Sequence, residues 1–417
     1  MTQPTDLPSR PDQDDERLAS QLRRERLLDR IAREREAFRA KDKELGLERL
    51  RLANAQATRG YRTERAIRSR LHAIRTLIPG RRRGFAANPA SATNVAAKPD
   101  VPAARSARTA GAPPSVAIHI GAPTWAEAAR WGDLPFAQDV QASFVERGWA
   151  ASIHVAADRD SNPAVQADVA LHIAGIRVPP VRPGQTSVLW IISHPDSIRR
   201  ELCLAYDLIG VASDPFLHYL EDWLGTAAPP MIALHQATNP GRFFPEPGGP
   251  AHQVLFVGSA RNGRRPFLDA LAETNHELAV YGRNWTADLL DPKVLRGEWI
   301  PNEELHRYYA SARIVLSDSW TDMRDEGFIS NRIYDALASG AFVISEVVPG
   351  IDQEFDGAVV TYRQVSQLVG QVDHYLAHPD GRAEQAARGR TAVLARHTFE
   401  NRIDAIIAAV APLLNLG

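Results

Sequence analysis

The chain has almost no cysteine, no long apolar run and almost no net charge. Its single cysteine, Cys203, excludes an internal disulfide. No Cys/His cluster has zinc-ligand spacing, so neither a covalent staple nor a structural metal is expected. Cys203 lies within ELCLAYDLIG and reads as a small core residue. No stretch approaches the roughly 18 apolar residues of a membrane span. The opening MTQPTDLPSRPDQDDER lacks the apolar core of a secretory signal. These absences lead us to expect a cytoplasmic protein. The formal net charge of −1 hides an asymmetry, because residues 1–110 carry a clear excess of basic over acidic side chains and the remainder is acidic. The basic part is an arm, not the body, and no nucleic-acid partner is expected.

What is present is length enough for two domains and an appendage: 417 residues, 44% of them hydrophobic. Residues 1–78 are rich in Arg, Glu, Leu and Ala, with almost no Gly or Pro after the first turns, and predict a basic helical arm. Ile31, Phe38, Leu45 and Leu52 recur at heptad spacing. The complementary row runs Leu28, Arg35, Asp42, Arg49, so the arm is coiled-coil-like only in part. A solvated or weakly self-associating helix, giving at most a weak homodimer, is the leading expectation. Contact of residues 1–83, including Arg81, Arg82 and Arg83, with a protein or with the inner membrane surface is the alternative. Residues 79–114 turn to Ala, Pro, Ser and Thr and read as a linker.

From Ser115 the pattern changes to apolar strands alternating with helices. Val116 to Ile120, Ala151 to Val155, Val169 to Ile173, Ser187 to Ile192, Leu208 to Ala212 and Met231 to Leu234 form one set. Val254 to Val257, Leu278 to Tyr281, Ile314 to Ser317, Phe342 to Ser345 and Ala358 to Thr361 form another. Strands that are apolar throughout and separated by helices predict an α/β fold of two doubly wound parallel sheets. The expected boundaries are 115–240, 241–397 and a final helix over 398–417. A ligand cleft is expected where the strand ends of the two domains meet.

The most informative run is DEGFISNRIYDALASGAFVISEVVPG, Asp325 to Gly350. Ser330 and Asn331 are placed to cap a helix through Leu337, and Gly340 to end it before a buried strand. The amides and partial positive charge of a helix start suit a diphosphate, and Arg332 adds a forked cation there. The run resembles the donor-sugar segment of GT-B glycosyltransferases, and most closely the spore-maturation (CgeB-type) branch and related "glycosyl transferases group 1" proteins. In these a phrase GF-x-SNR-hydrophobic-aromatic-D-A-x-A-x-G-A recurs. The resemblance implies two Rossmann-like domains and a nucleotide-diphospho-sugar donor used as substrate, with no cofactor. It also implies a hydroxyl acceptor and a role in cell-surface or spore polysaccharide or glycoconjugate synthesis. Asp335 falls where the family has its ribose-contacting acid, as Asp where Glu is commoner. A second family Glu, expected to touch the sugar, falls on Gly327, with Glu326 one residue away.

The remaining candidates follow from position. The loop Gly258 to Arg265, GSARNGRR, offers Arg264 or Arg265 to donor phosphates. Tyr281 or Trp285 would stack on a base. In the first domain Asp133, within WGDLPFA, and His194, within SHPD, are the two candidate bases for an acceptor hydroxyl. His235 ranks behind them, near the hinge. Asp158-Arg159-Asp160 matches a D-x-D metal pattern but reads as a polar turn, and metal-independent transfer is expected, with amides and arginines stabilising the departing diphosphate. Two rival functions fit the same fold: a non-catalytic scaffold recruited through its arm, and a nucleotide-sugar epimerase.

Overall fold

Twelve short strands assemble into two six-stranded sheets in the computed structural model. It describes residues 112–414 other than Arg130, Ile176, Arg177, Pro179, Pro180, Pro183, Pro247, Arg261, Asn262 and Gly263. The arm, nearly all of the linker, and the membrane, partner and self-association contacts assigned to residues 1–83 lie outside the described residues.

The first lobe holds β1 (Ser115–His119), β2 (Ala150–His154), β3 (Val169–Ala174), β4 (Thr186–Ile191), β5 (Leu208–Val211) and β6 (Met231–Ala233), in the order β2-β1-β3-β4-β5-β6. The second holds β7 (Val254–Val257), β8 (Leu278–Tyr281), β9 (Leu295–Gly297), β10 (Ile314–Ser317), β11 (Val343–Glu346) and β12 (Val360–Tyr362), in the order β12-β11-β10-β7-β8-β9. Every pairing is parallel. β3 and β4 are buried at every position, as strands covered on both faces must be. β9 is the strand that the sequence did not announce. It has three residues, lies at the sheet edge and meets β8 with a register shift.

Strand order reverses between β1 and β3 in the first sheet and between β7 and β10 in the second. Crossover helices leave such a point on opposite faces, so a crevice opens at the strand C-terminal ends there. Four helices position what lines it: α1 (Asp133–Glu146), α2 (Asp214–Leu224), α3 (Asn331–Ala338) and α4 (Phe399–Leu414). α1 begins earlier than the expected Phe136, which puts Asp133 inside its first turn. α4 buries Phe399, Ile403, Ile406 and Val410 against the core of the first lobe. The Phe136 ring sits between Phe399 at 4.9 Å and Trp190 at 5.1 Å. Each fully buried side chain of this size contributes about 1.5–3 kcal/mol.

The chain therefore crosses between the lobes twice, after β6 and before α4. The crossings run side by side: the Thr238 amide donates to the His397 carbonyl at 2.9 Å, and the Phe399 amide to the Thr238 carbonyl at 3.2 Å. Arg402 clamps the first crossing, donating to the carbonyls of His235 at 2.8 Å and Gln236 at 3.0 Å.

Candidate active site

Helix α3 sets the second-lobe side. It is amphipathic and buries Ile333, Tyr334, Ala336 and Leu337. It ends in a Schellman turn: Gly340 takes φ 80, and the amides of Gly340 and Ala341 reach the carbonyls of Leu337 and Ala336, both at 3.0 Å. Its start differs from expectation. Ser330 holds the N-cap position without a side-chain cap bond, and Asn331 is the first helical residue. The Asn331 amide turns inward and donates to Asp335 at 2.9 Å. No capping side chain neutralises the positive end of this helix.

Two of the three candidate arginines converge beside it. Arg332 and Arg265 lie over the same Phe256 ring, at 5.2 Å and 4.8 Å from its centre, and Arg265 also meets Trp285 at 4.9 Å. Between them is the buried Asp318, at the end of β10, 3.0 Å from Arg265 and 3.7 Å from Arg332. Arg332 reaches this place by passing over Gly258, where an added Cβ would lie 3.0 Å from its guanidinium. Gly282 has a similar reason: a Cβ there would come within 2.1 Å of the Gly258 carbonyl, so the loops after β7 and β8 close only without one. Arg264 points away, exposed, and pairs with Asp269 at 3.0 Å. Sequence left Arg264 and Arg265 undecided; the fold puts Arg265 inside and Arg264 outside.

Asp335 is buried beneath the helix start, with one carboxylate oxygen accepting from Thr238 at 2.8 Å and the other from Asn331. Burial raises its pKa to about 7, against the pull of the Thr238 hydrogen bond and the Arg242 charge. Its oxygens are thus engaged by the protein, and it orients Asn331. Tyr281 does not join the group. It falls on the strand face opposite Phe256, its ring meets Tyr308 edge-on at 5.3 Å, and its hydroxyl pairs with His252 at 3.1 Å. Two buried polar atoms near the crevice, Ser345 Oγ and Asn331 Oδ1, have no hydrogen-bond partner among the described residues, and such atoms call for an explanation.

The first lobe supplies Asp133 and His194. Asp133 Oδ2 lies 3.3 Å from where a Cβ on Gly175, just past β3, would stand, so glycine makes its room. Burial raises the Asp133 pKa, and the charge of nearby His194 opposes the rise. His194, past the end of β4, takes φ 52 and ψ 57, a left-handed conformation that costs a non-glycine residue on the order of 1 kcal/mol. It reaches across the crevice: Nδ1 is 3.8 Å from Asp322, and the ring is 5.7 Å from that of Trp320. Burial acts to raise the Asp322 pKa, but the His194 contact and backbone amides leave it lowered.

The same loop seals the seam. Ser213 caps α2 and donates to the Glu326 carbonyl at 2.5 Å, and Gly327, at φ 79, lies where a Cβ would come 2.9 Å from Ser213. Phe328 packs on Phe216 at 5.4 Å. His235 bridges Asp214 at 2.9 Å and Glu354 at 2.5 Å, a hinge contact and not a crevice one. In the D-x-D stretch, Asp158 accepts from the Val155 amide at 2.8 Å and Trp125 at 3.0 Å, while Asp160 pairs with Arg182. Among the described residues no cluster of His, Cys, Asp and Glu is arranged to hold a metal ion. No helix there is long and apolar enough to cross a membrane. Asp318, Thr238 and Trp320 were not singled out in the sequence. A carboxylate just past the end of a central strand, two residues beyond its last apolar position, is the signal that would have found Asp318.

Comparison with known proteins bears on the architecture. Residues 261–408 match the family model described as glycosyl transferase-like. The structure is similar to sucrose-phosphate synthase from Thermosynechococcus elongatus, at 13% identity and TM-score 0.54 over 73% of this chain and 100% of that one. It is similar to an alpha-glucosyltransferase solved with UDP-glucose and DNA, at 9% identity and TM-score 0.54 over 71% and 99%. It is also similar to a glycosyltransferase from Rickettsia africae, at 10% identity and TM-score 0.53 over 73% and 100%. Among curated proteins no significant match is found. Identities this low speak to architecture, and the chain accordingly has the GT-B fold of two facing Rossmann-like lobes, with a glycosyl transferase-like segment over the second.

Proposed function

We propose that the crevice moves a sugar from a nucleotide-diphospho-sugar to a hydroxyl acceptor. One observation carries the reading: Arg332 stands beside Arg265 at the uncapped start of α3, where the second sheet reverses its strand order. The diphosphate would meet α3 amides and the Arg332 guanidinium, with Arg265 behind it. Ser345 Oγ and Asn331 Oδ1 are buried polar atoms that donor groups would satisfy. Asp335 serves this site by holding Asn331, and its reading as a direct ribose ligand requires a shift of Thr238 or Asn331.

In an inverting route the acceptor oxygen attacks the anomeric carbon as the bond from that carbon to the diphosphate oxygen breaks. The hydroxyl proton passes to His194 Nε2, because Nδ1 faces Asp322. Asp133 is the alternative base, its carboxyl made more basic by burial. The charge left on the diphosphate is met by fixed amides and guanidinium groups, so no divalent cation is required. The finer assignment, a CgeB-type enzyme of cell-surface or spore polymer synthesis, rests on the phrase from Gly327 to Ala341.

Calorimetric titration with UDP, GDP, dTDP and their sugars tests this. UDP-glucose comes first, because an alpha-glucosyltransferase of the same fold was solved with it. One donor should bind, with Arg332→Ala weakening it about 100-fold, the loss typical of one charged contact. Arg264→Ala should change it less than about threefold, as expected for an exposed ion pair. Failure of every donor to bind would sink the reading. Conversion of the donor sugar with no acceptor present would replace it by an epimerase.

A further inference from the structure

Four tryptophans are exposed among the described residues, and three of them lie against their own lobe. Trp125, 46% exposed, donates to Asp158 at 3.0 Å. Trp223, 37% exposed, stacks on Tyr219 at 5.9 Å. Trp299, 59% exposed, sits under Arg283 at 6.0 Å. Trp320 is different. It is 42% exposed at the N-cap of the short helix Thr321–Asp325, where the nearby large apolar side chains Met323, Phe328 and Ile329 are buried, and its ring reaches His194 of the opposite lobe.

The surroundings of that ring are chemically specific. His194 is held toward it in a strained backbone conformation. Asp322, in the first turn of the helix that Trp320 caps, faces His194 from one side, and Asp133 stands near the same imidazole from the first lobe. An aromatic plate that meets an imidazole, with two carboxylates about that imidazole, matches a molecule with a flat C–H face and a rim of hydroxyl groups. Such a ligand buries its C–H face on the indole and donates its hydroxyls to the acids. A long-chain alcohol would leave the carboxylates unsatisfied, and a phosphorylated acceptor would meet two acids.

We infer that Trp320 is the stacking platform of an acceptor subsite for a pyranoside, and that Asp133 and Asp322 select its hydroxyls. This rests on the crevice being the transfer site proposed above, and it names the class of acceptor. The platform comes from the donor lobe while the base comes from the other, so the subsite is complete only with the lobes closed.

The test uses the full chain and a panel of methyl α- and β-pyranosides of glucose, galactose, mannose and N-acetylglucosamine. Saturation-transfer NMR reads sugar binding without needing turnover, and donor affinity is titrated separately with nucleotide. We expect at least one pyranoside to bind through its ring C–H protons. Trp320→Ala should weaken it about tenfold, the loss of one stacking contact, and Trp320→Phe should restore most of that. Donor Kd should stay within about twofold in both variants, since this ring is assigned no donor contact. Three results overturn the inference: no pyranoside binds while a donor does; Trp320→Ala leaves pyranoside affinity unchanged; or it weakens donor and pyranoside alike. Absence of any donor binding in the unaltered chain is a separate outcome, and counts against the transfer reading itself.

Discussion

The two lobes share one architecture and manage buried polar groups in opposite ways. The second lobe brings together, just past the end of β10, charges that compensate one another, Arg265 and Arg332 about Asp318. The first lobe places neutral rings at the same level: His119 of β1 faces His154 of β2 at 5.5 Å and His172 of β3 at 4.7 Å, and His172 pairs with the Tyr206 hydroxyl at 2.5 Å. Burial holds His119 down at about 4 and His172 at about 3, so the row is uncharged near neutrality. A lobe that receives a diphosphate needs fixed cations. In the first lobe the ionisable groups Asp133 and His194 lie outside this neutral row, Asp133 on a helix that packs on the other face of the sheet.

The contrast is breakable, and the largest effect should come from its charged side. Arg265→Ala would leave Asp318 buried without its closest cation, at a cost of about 4 kcal/mol, read as a lower midpoint in thermal unfolding. A midpoint unchanged from the parent chain would mean that the ion pair is not the organising feature of this lobe. Asp335 gives the next effect, and its sign is opposite to that of the histidines. Its folded pKa is raised by burial to about 7, so the stability it confers is full below the unfolded value of 3.8 and is lost as pH rises toward 7. Asp335→Asn should abolish that pH-dependent loss, on the order of 4 kcal/mol, while giving up the acceptor that Asn331 uses, and the result is a flatter midpoint-against-pH curve. The depressed histidines act the other way. Their contribution is full above 6.5 and is lost as pH falls toward 4 and 3. The smallest effect is expected from Tyr206→Phe, which orphans His172 Nδ1 for about 1 kcal/mol and leaves donor affinity untouched. A change in donor affinity there would show that the neutral row is coupled to the charged lobe.

Much of this was legible beforehand, because apolar runs and glycine stops act locally. The parallel sheets follow from strands apolar on both faces, and the end of α3 follows from Gly340. Four things were not legible, each for a nonlocal reason. β9 is an edge strand of three residues whose pairing, not its composition, makes it a strand. Arg264 and Arg265 are neighbours in sequence, and only the docking of Asp318 separates their directions. The engagement of Asp335 depends on Thr238, contributed by the crossing segment 97 residues away. Pairing of His194 with Asp322 likewise requires both lobes to be present and closed.

The paired crossings at Thr238 and His397–Phe399 have a mechanical consequence. A single tether would let one lobe swivel about its own axis. Two adjacent strands of chain, stitched by backbone hydrogen bonds and clamped by Arg402, behave as a strap hinge that folds along one line and resists twisting. Such a connection keeps the imidazole of one half in line with the indole of the other.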